Sequence, residues 1–518
     1  MKSFLCSPTE PIVRTKQGLL RGYKWDDMYY FKGVTYAEAE RFQQPHPPTP
    51  WEGIREAQLY GFCSTVVSPY QVDRNMIVPH RYWHASEHCQ NLNIWSTTLD
   101  ENARKPVMVW IHGGGYANGS SIEHVDYDGE NLARYGDVVM VSINHRLNII
   151  GYLDLSSFGD EKYSNSANAG NADIVAALQW IHENIALFGG DPGNVTIFGQ
   201  SGGGGKVSNL LQIPAAAGLF HKAIIESGVG DLGNRKPIDG RKIALAMLEH
   251  LGLTGNDYEQ LADIPIEQLI ATFKAVSKQM GGEDMNFLWG PKANDWFPGD
   301  MREVGISKHA KHIPVIVGSV FAEFTPNFEP NPEQLTEREQ FAIVEKEFGG
   351  HAQEVLDAFK QAYPDKPDCY AAYADRIFRS PSLKYVVSWI NQSEAPIFVY
   401  MLSYTFPYMG SYPTWHCAEI PLAFHNNDLI EVYGNEDCYR LQEQINGAWV
   451  AFAHTGNPNH PHMIDWPAFS EEAEATIVFD KETTVRNSYD KHLIELLDKW
   501  KKPHFPGGTK DDKSAHPY

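Results

Sequence analysis

Short apolar runs bounded by turn residues recur along the chain at 106–111, 138–144, 195–199, 223–227, 315–318 and 397–404. They are nearly continuous rather than alternating, so they predict strands buried on both faces. Between the second and third lies 171–188, where Ile174, Leu178, Ile181, Ile185 and Phe188 follow 4-3-4-3 spacing. That stripe predicts an amphipathic helix opened by Asn171 and closed by Gly189-Gly190. Strand, helix, strand in this order implies right-handed crossovers and an α/β fold, a large mostly parallel central sheet flanked by helices. No internal repeat or linker-like segment interrupts the pattern. Residues 1–500 therefore read as a single domain, and 501–518, rich in Pro, Gly, Lys and Asp, as a loosely attached tail.

Composition narrows the function classes. The 518 residues include 13 Trp, 25 Tyr and 25 Phe, material for a large core and for aromatic-lined cavities. Acidic residues outnumber basic ones by 65 to 43, for a formal net charge of -22. A field of that sign repels phosphate backbones and anionic headgroups, which argues against nucleic acid and membrane as partners. No run approaches the roughly eighteen uncharged apolar residues of a membrane helix. Residues 1–10 offer only Phe4-Leu5 where a signal peptide needs a long apolar stretch, so a cytoplasmic protein is expected. The six cysteines (Cys6, Cys63, Cys89, Cys369, Cys417 and Cys438) contain no C-x-x-C pair, which argues against a zinc site or a disulfide scaffold.

The chemistry concentrates at strand ends. Val195-Thr196-Ile197-Phe198 runs into Gly199-Gln200-Ser201-Gly202-Gly203, a G-x-S-x-G placed after a strand and before a helical stretch. Such an elbow strains the serine backbone and exposes its Oγ, and the flanking glycines let strand and helix pack closely. A phosphate-binding loop ending at Lys206 would need Gly at 200 and Ser or Thr at 207; Gln200 and Val207 exclude it. Upstream, 107–111 leads into His112-Gly113-Gly114-Gly115-Tyr116, whose backbone N–H groups can turn around a small anion such as a tetrahedral oxyanion. Gly202, after the serine, would add another N–H. A nucleophilic serine needs a base and an orienting carboxylate. Among 65 acidic residues and 21 histidines, Glu323 after the strand 315–318 and His416 after the strand 397–404 are candidates by position alone.

The chain as a whole resembles the type-B carboxylesterases, the cholinesterase-like family of α/β hydrolases. The resemblance runs from residue 18 to about 480. It is carried by Phe31-Lys32-Gly33-Val34-Thr35-Tyr36-Ala37, Leu92-Asn93-Ile94-Trp95, the His112 glycine motif, Asn144-His145-Arg146-Leu147, the Ser201 elbow, Glu226-Ser227-Gly228, His416-Cys417-Ala418-Glu419-Ile420 and Thr455-Gly456-Asn457-Pro458. It implies the α/β-hydrolase fold and a carboxylic-ester hydrolase working through an acyl-enzyme on short-chain or aryl esters, with a small-molecule substrate and no metal or cofactor. It also implies a triad of Ser201, Glu323 and His416, with Gly114, Gly115 and Gly202 as oxyanion donors. Gln200 then lies beside the nucleophile, Ser227 near the acid, Arg41 in an ion pair with Glu87, and Phe287, Leu288 and Trp289 in the acyl-pocket region. Cys63 and Cys89 stand where the family closes a surface loop with a disulfide, and in a cytoplasmic chain they are expected to be reduced.

Departures from the family pattern carry information too. The residue before the nucleophile is usually Glu and is here Gln200. Relatives with a quaternary-ammonium site carry a tryptophan ten residues before the cysteine matching Cys89, whereas Trp83 lies six before it, so choline esters are not expected. Two rival readings share the fold. An interfacial lipase would want an amphipathic lid and a less acidic surface; a catalytically silent adhesion or scaffold protein would have lost a triad member, and all three positions are filled.

Overall fold

The computed structural model describes residues 3–65, 78–230, 239–280, 289–324, 328–329, 331–408 and 410–501. Its strands, in chain order, are β1 (Phe4–Leu5), β2 (Ile12–Arg14), β3 (Leu19–Arg21), β4 (Tyr23–Trp25), β5 (Met28–Thr35), β6 (Ile54–Glu56), β7 (Asn91–Ser96), β8 (Lys105–Ile111) and β9 (Val139–Ile143). They continue with β10 (Gly190–Gln200), β11 (Lys222–Glu226), β12 (Val315–Val320), β13 (Ile397–Leu402), β14 (Thr405–Phe406), β15 (Tyr412–Pro413), β16 (Ala475–Phe479) and β17 (Thr484–Asn487). All six apolar runs are strands, and β9, β11, β12 and β13 are buried at every position.

A 12-stranded sheet runs in the order β1-β4-β5-β7-β9-β8-β10-β11-β12-β13-β16-β17. The seven strands from β9 to β16 are parallel, and antiparallel strands extend both edges. Successive residues of β8 alternate between its faces. Val107, Val109 and Ile111 join Ile174, Leu178 and Ile181 in one core cluster; Met108 and Trp110 join Leu441, Ile445 and Trp449 in the other. The sheet is thus sealed between helices on both sides, as near-continuous apolar strands demand.

The predicted helix starts earlier than the sequence pattern indicates. It spans Ala169–Asn184 and passes into a tight turn over Ile185–Phe188, with Asn168, not Asn171, at its N-cap. Asn171 lies inside the helix, where its Oδ1 accepts from the Tyr152 hydroxyl at 3.0 Å. The five stripe residues are all fully buried, and Gly189 closes the segment in the left-handed region at φ 80°.

Chain winding reverses around β8: the chain passes from β8 to β9 on one side, then crosses to β10 on the other. In parallel sheets such a reversal opens a crevice at the carboxyl ends of the strands, where ligands bind. The glycine loop after β8 and the serine after β10 flank it. Lys501, the first residue of the expected tail, is anchored by Nζ hydrogen bonds to Ala372 O (2.9 Å) and Ala374 O (2.6 Å); 502–518 lie outside the described residues. None of the described helices is long and apolar enough to cross a membrane. All six cysteines, Cys63 and Cys89 included, are free thiols.

Candidate active site

Ser201 caps β10 with φ 57° and ψ -126°, and the helix Gly202–Leu210 begins at the next residue. Few L residues tolerate that backbone, and the neighbours pin it. Ser201 N donates to Glu226 O at 2.8 Å, and Ser201 O accepts from Gly205 N at 2.9 Å. The glycines after it are steric necessities. A Cβ on Gly203 would lie 1.9 Å from Ile111 O, and one on Gly202 would lie 2.3 Å from Gly115 O. The helix therefore rests directly on the end of β8 and on the glycine loop. Ser227 (φ 44°), Glu323 (φ 26°) and Cys417 (φ 76°) also hold positive φ. Four strained non-glycine residues thus gather at the carboxyl edge of the sheet, the kind of clustering expected at functional sites.

Glu323 follows β12 and is buried. Its Oε1 accepts from Ser227 Oγ (2.7 Å) and Val320 N (3.0 Å), and its Oε2 makes a short hydrogen bond with His416 Nδ1. Burial first, then the Asp375 charge, push the Glu323 carboxyl well above the ordinary glutamate value, while the Ser227 and Val320 donors pull it back. His416 is tied to the same loop, its N–H donating to Glu323 O at 3.1 Å. Its ring lies against Phe324 (4.1 Å between centroids) and parallel to Phe378 (5.3 Å, 17°). With Nδ1 committed to the carboxylate, a neutral imidazole keeps its lone pair on Nε2.

Gln200 reaches the same ring. Its Nε2 lies 3.3 Å from His416 Nδ1 and 3.4 Å from Nε2, so the amide sits beside the ring rather than in line with either nitrogen's lone pair. Cys417 Sγ donates to Gln200 Oε1 at 3.1 Å, which sets the flip of the amide and turns its N–H₂ toward the imidazole. A neutral group thus occupies a position where a carboxylate would stabilise imidazolium. Gln200→Glu should raise the pKa of the His416 imidazole by about half to one unit, because an opposite charge at that range favours the protonated ring. Titrating the imidazole by NMR in both proteins at equal ionic strength checks this; superimposable curves, or a curve moved to lower pH, would refute it.

The glycine loop is held from behind. Gly114 (φ 85°) and Gly115 (φ 62°) adopt left-handed backbone, and Gly114 O accepts from Ala117 N (3.3 Å) and Asn118 N (3.0 Å). Lys206, fully buried one turn after the serine, donates from Nζ to Gly115 O (2.8 Å) and His112 O (3.2 Å). Burial lowers its pKa to about 7. Sequence patterning offers no sign of this role, because the lysine follows a run of glycines and carries no periodic signature. Behind Ser227, the buried carboxyls of Glu226 and Glu419 are both pushed up to about 8, by burial first and then by a neighbouring carboxylate, Glu419 for the one and Glu323 for the other.

The Arg41 guanidinium pairs with both oxygens of Glu87 and donates to Leu261 O at 3.1 Å. Trp289 is buried against Phe273 (5.3 Å), in an apolar cluster with Leu261 and Leu269. Phe287 and Leu288 lie outside the described residues. Phe378, which packs on the His416 ring, carries no sequence motif and was found only by its position.

Comparison with known proteins points the same way. A sequence model described as the carboxylesterase family matches residues 9–497. A solved structure titled as an esterase from anaerobic Clostridium hathewayi that can hydrolyze aliphatic aromatic polyesters is 46% identical, with a TM-score of 0.92 over 96% of this chain and 100% of that one. The para-nitrobenzyl esterase of Bacillus subtilis (strain 168) is 32% identical over 94% of this chain and 99% of its own length. The phenmedipham hydrolase of Pseudarthrobacter oxydans is 32% identical over 92% and 96%.

Proposed function

Because the chain belongs to the carboxylesterase family, and so is a carboxylic-ester hydrolase, we propose that Ser201, His416 and Glu323 are its nucleophile, base and orienting acid. The observation that carries this reading is the short Glu323–His416 hydrogen bond at the strand end next to the strained Ser201 elbow, with the Gln200 amide touching the same imidazole. Ser201 Oγ attacks the ester carbonyl as His416 Nε2 takes its proton, and Glu323 holds the tautomer and stabilises the imidazolium. The N–H groups of Gly114, Gly115 and Gly202 receive the oxyanion. This is supported by the engagement of the loop carbonyls of His112, Gly114 and Gly115 with donors behind it. His416 then protonates the departing alcohol, leaving the acyl group on Ser201, and activates water to release the acid.

The substrates in this reading are short-chain or aryl esters. The relatives named for p-nitrobenzyl esters, for phenmedipham and for aliphatic aromatic polyesters support an aryl preference, and so do the Phe324 and Phe378 rings packed on His416. A reducing, cytoplasmic setting belongs to the same reading. A panel of p-nitrophenyl esters of increasing acyl length, with aryl esters beside it, should show the highest kcat/KM for short and aromatic acids. Rate against tributyrin concentration should rise smoothly through the solubility limit; a jump on emulsification would turn the reading toward an interfacial lipase.

A further inference from the structure

The segment after the glycine loop doubles back against a second stretch of chain. His80 and His124 form an isolated antiparallel bridge, flanked by hydrogen bonds from Val125 N to Pro79 O (3.1 Å) and from Arg81 N to Glu123 O (2.5 Å). The two imidazoles meet edge to face, 4.4 Å apart at 76°. One donor atom from each of His80, Glu123 and His124 lies within 4.8 Å of the other two. Beside them sits an unexplained pair. His124 is buried, and its Nδ1 has no hydrogen-bond partner; it lies 3.6 Å from Oδ1 of Asp126, whose two carboxylate oxygens are both buried without one. Buried polar groups are nearly always satisfied, and each exception needs a reason.

We propose that His80, Glu123 and His124 bind a divalent transition-metal ion of the zinc class, with Asp126 as the residue that orients His124. Two imidazoles and one carboxylate suit such an ion better than calcium or magnesium, which take all-oxygen sets. With Nδ1 turned toward Asp126, His124 presents Nε2 to the metal. Ligation would polarise the Nδ1–H and draw it onto the carboxylate, the carboxylate–histidine–metal arrangement common at such sites. The donors, now within 4.8 Å of one another, would close to the roughly 3.3 Å spacing of tetrahedral ligands, with water in the fourth position. The cysteine spacing argues against a zinc site, but this donor set contains no thiol, so that spacing does not bear on it. The metal would clamp residues 78–81 to the strap 120–127 that follows the glycine loop, a structural role separate from the ester chemistry.

Full-length protein stripped with a chelator and titrated with zinc ion alone, against a chromophoric competitor, should take up one equivalent tighter than about 10 μM. Its Tm should rise by several degrees with the metal. Cobalt ion in the same preparation should give visible d–d absorption of a nitrogen and oxygen site. His80→Ala and Glu123→Gln, both at half-buried positions, should each weaken binding at least tenfold with unchanged circular dichroism. Asp126→Asn should weaken it by about ten- to a hundredfold. Absence of a stoichiometric site in the wild type, or equal affinity in His80→Ala or Glu123→Gln, would overturn the proposal.

Discussion

Ser201→Ala should lower kcat by about four to six powers of ten, with the fold intact. The expectation rests on geometry at both ends of the substitution. At φ 57° the serine already has a backbone that alanine tolerates no worse, and the hydrogen bonds fixing it run through its N–H and C=O to Glu226 and Gly205. The side chain can therefore go without disturbing the elbow, and Tm should stay within a degree or two. His416→Ala should cost a similar factor, and Glu323→Gln about four powers of ten, because the amide can hold the imidazole in the wrong tautomer. A fluorophosphonate should label Ser201 in the wild type and not in Ser201→Ala. Retention of more than about 1% of activity by Ser201→Ala, or an indifferent His416→Ala, would remove the assignment.

The parts of this site differ in how far the sequence reveals them, and the reason is range. The elbow is local: a strand, a G-x-S-x-G and a helix lie within twenty residues, and Gly199, Gly202, Gly203 and Gly204 each answer a contact a Cβ would violate. The central strands are legible because burial on both faces leaves continuous apolar runs. The inner strand β7, between β5 and β9, is not, since Asn91 and Asn93 break its run. Both are buried and spend their amides on Phe62 O and on the hydroxyls of Ser121 and Ser142, contacts no periodicity encodes. Glu323 and His416 lie 93 positions apart and meet only because β12 and β13 are neighbours in the sheet. Position alone left them as candidates; the ordered resemblance to a family singled them out. Phe378, Lys206 and the Glu226–Glu419 pair have no such cue, because what they do depends on partners brought to them by the fold.

Lys206→Met should be the next most damaging change, with kcat falling roughly a hundredfold and KM moving only a few-fold. Lys206 touches no reacting atom in the proposed chemistry and acts as a positioning residue. Its amine holds Gly115 O and His112 O from behind, so the N–H groups proposed to meet the oxyanion are fixed by what happens to the neighbouring carbonyls. Methionine fills the same space and frees both carbonyls, letting the loop relax. The oxyanion forms only in the transition state, so the loss belongs in kcat. A second readout separates this from simple damage to the core. Burial depresses the Lys206 pKa to about 7, against about 10.4 in an unfolded chain. Between those values the unfolded chain holds a proton that the folded chain does not, so this group makes stability rise with pH across that window and penalises the fold below it. Removing the amine should flatten the slope of unfolding free energy by up to about 1.4 kcal/mol per pH unit between pH 7 and 10, as read from urea melts. Lys206→Arg, too large for the cavity and permanently charged, should not restore kcat. A Lys206→Met enzyme with wild-type kcat would mean the loop holds its shape without the amine, and an unchanged pH slope would mean the lysine stays charged in the fold.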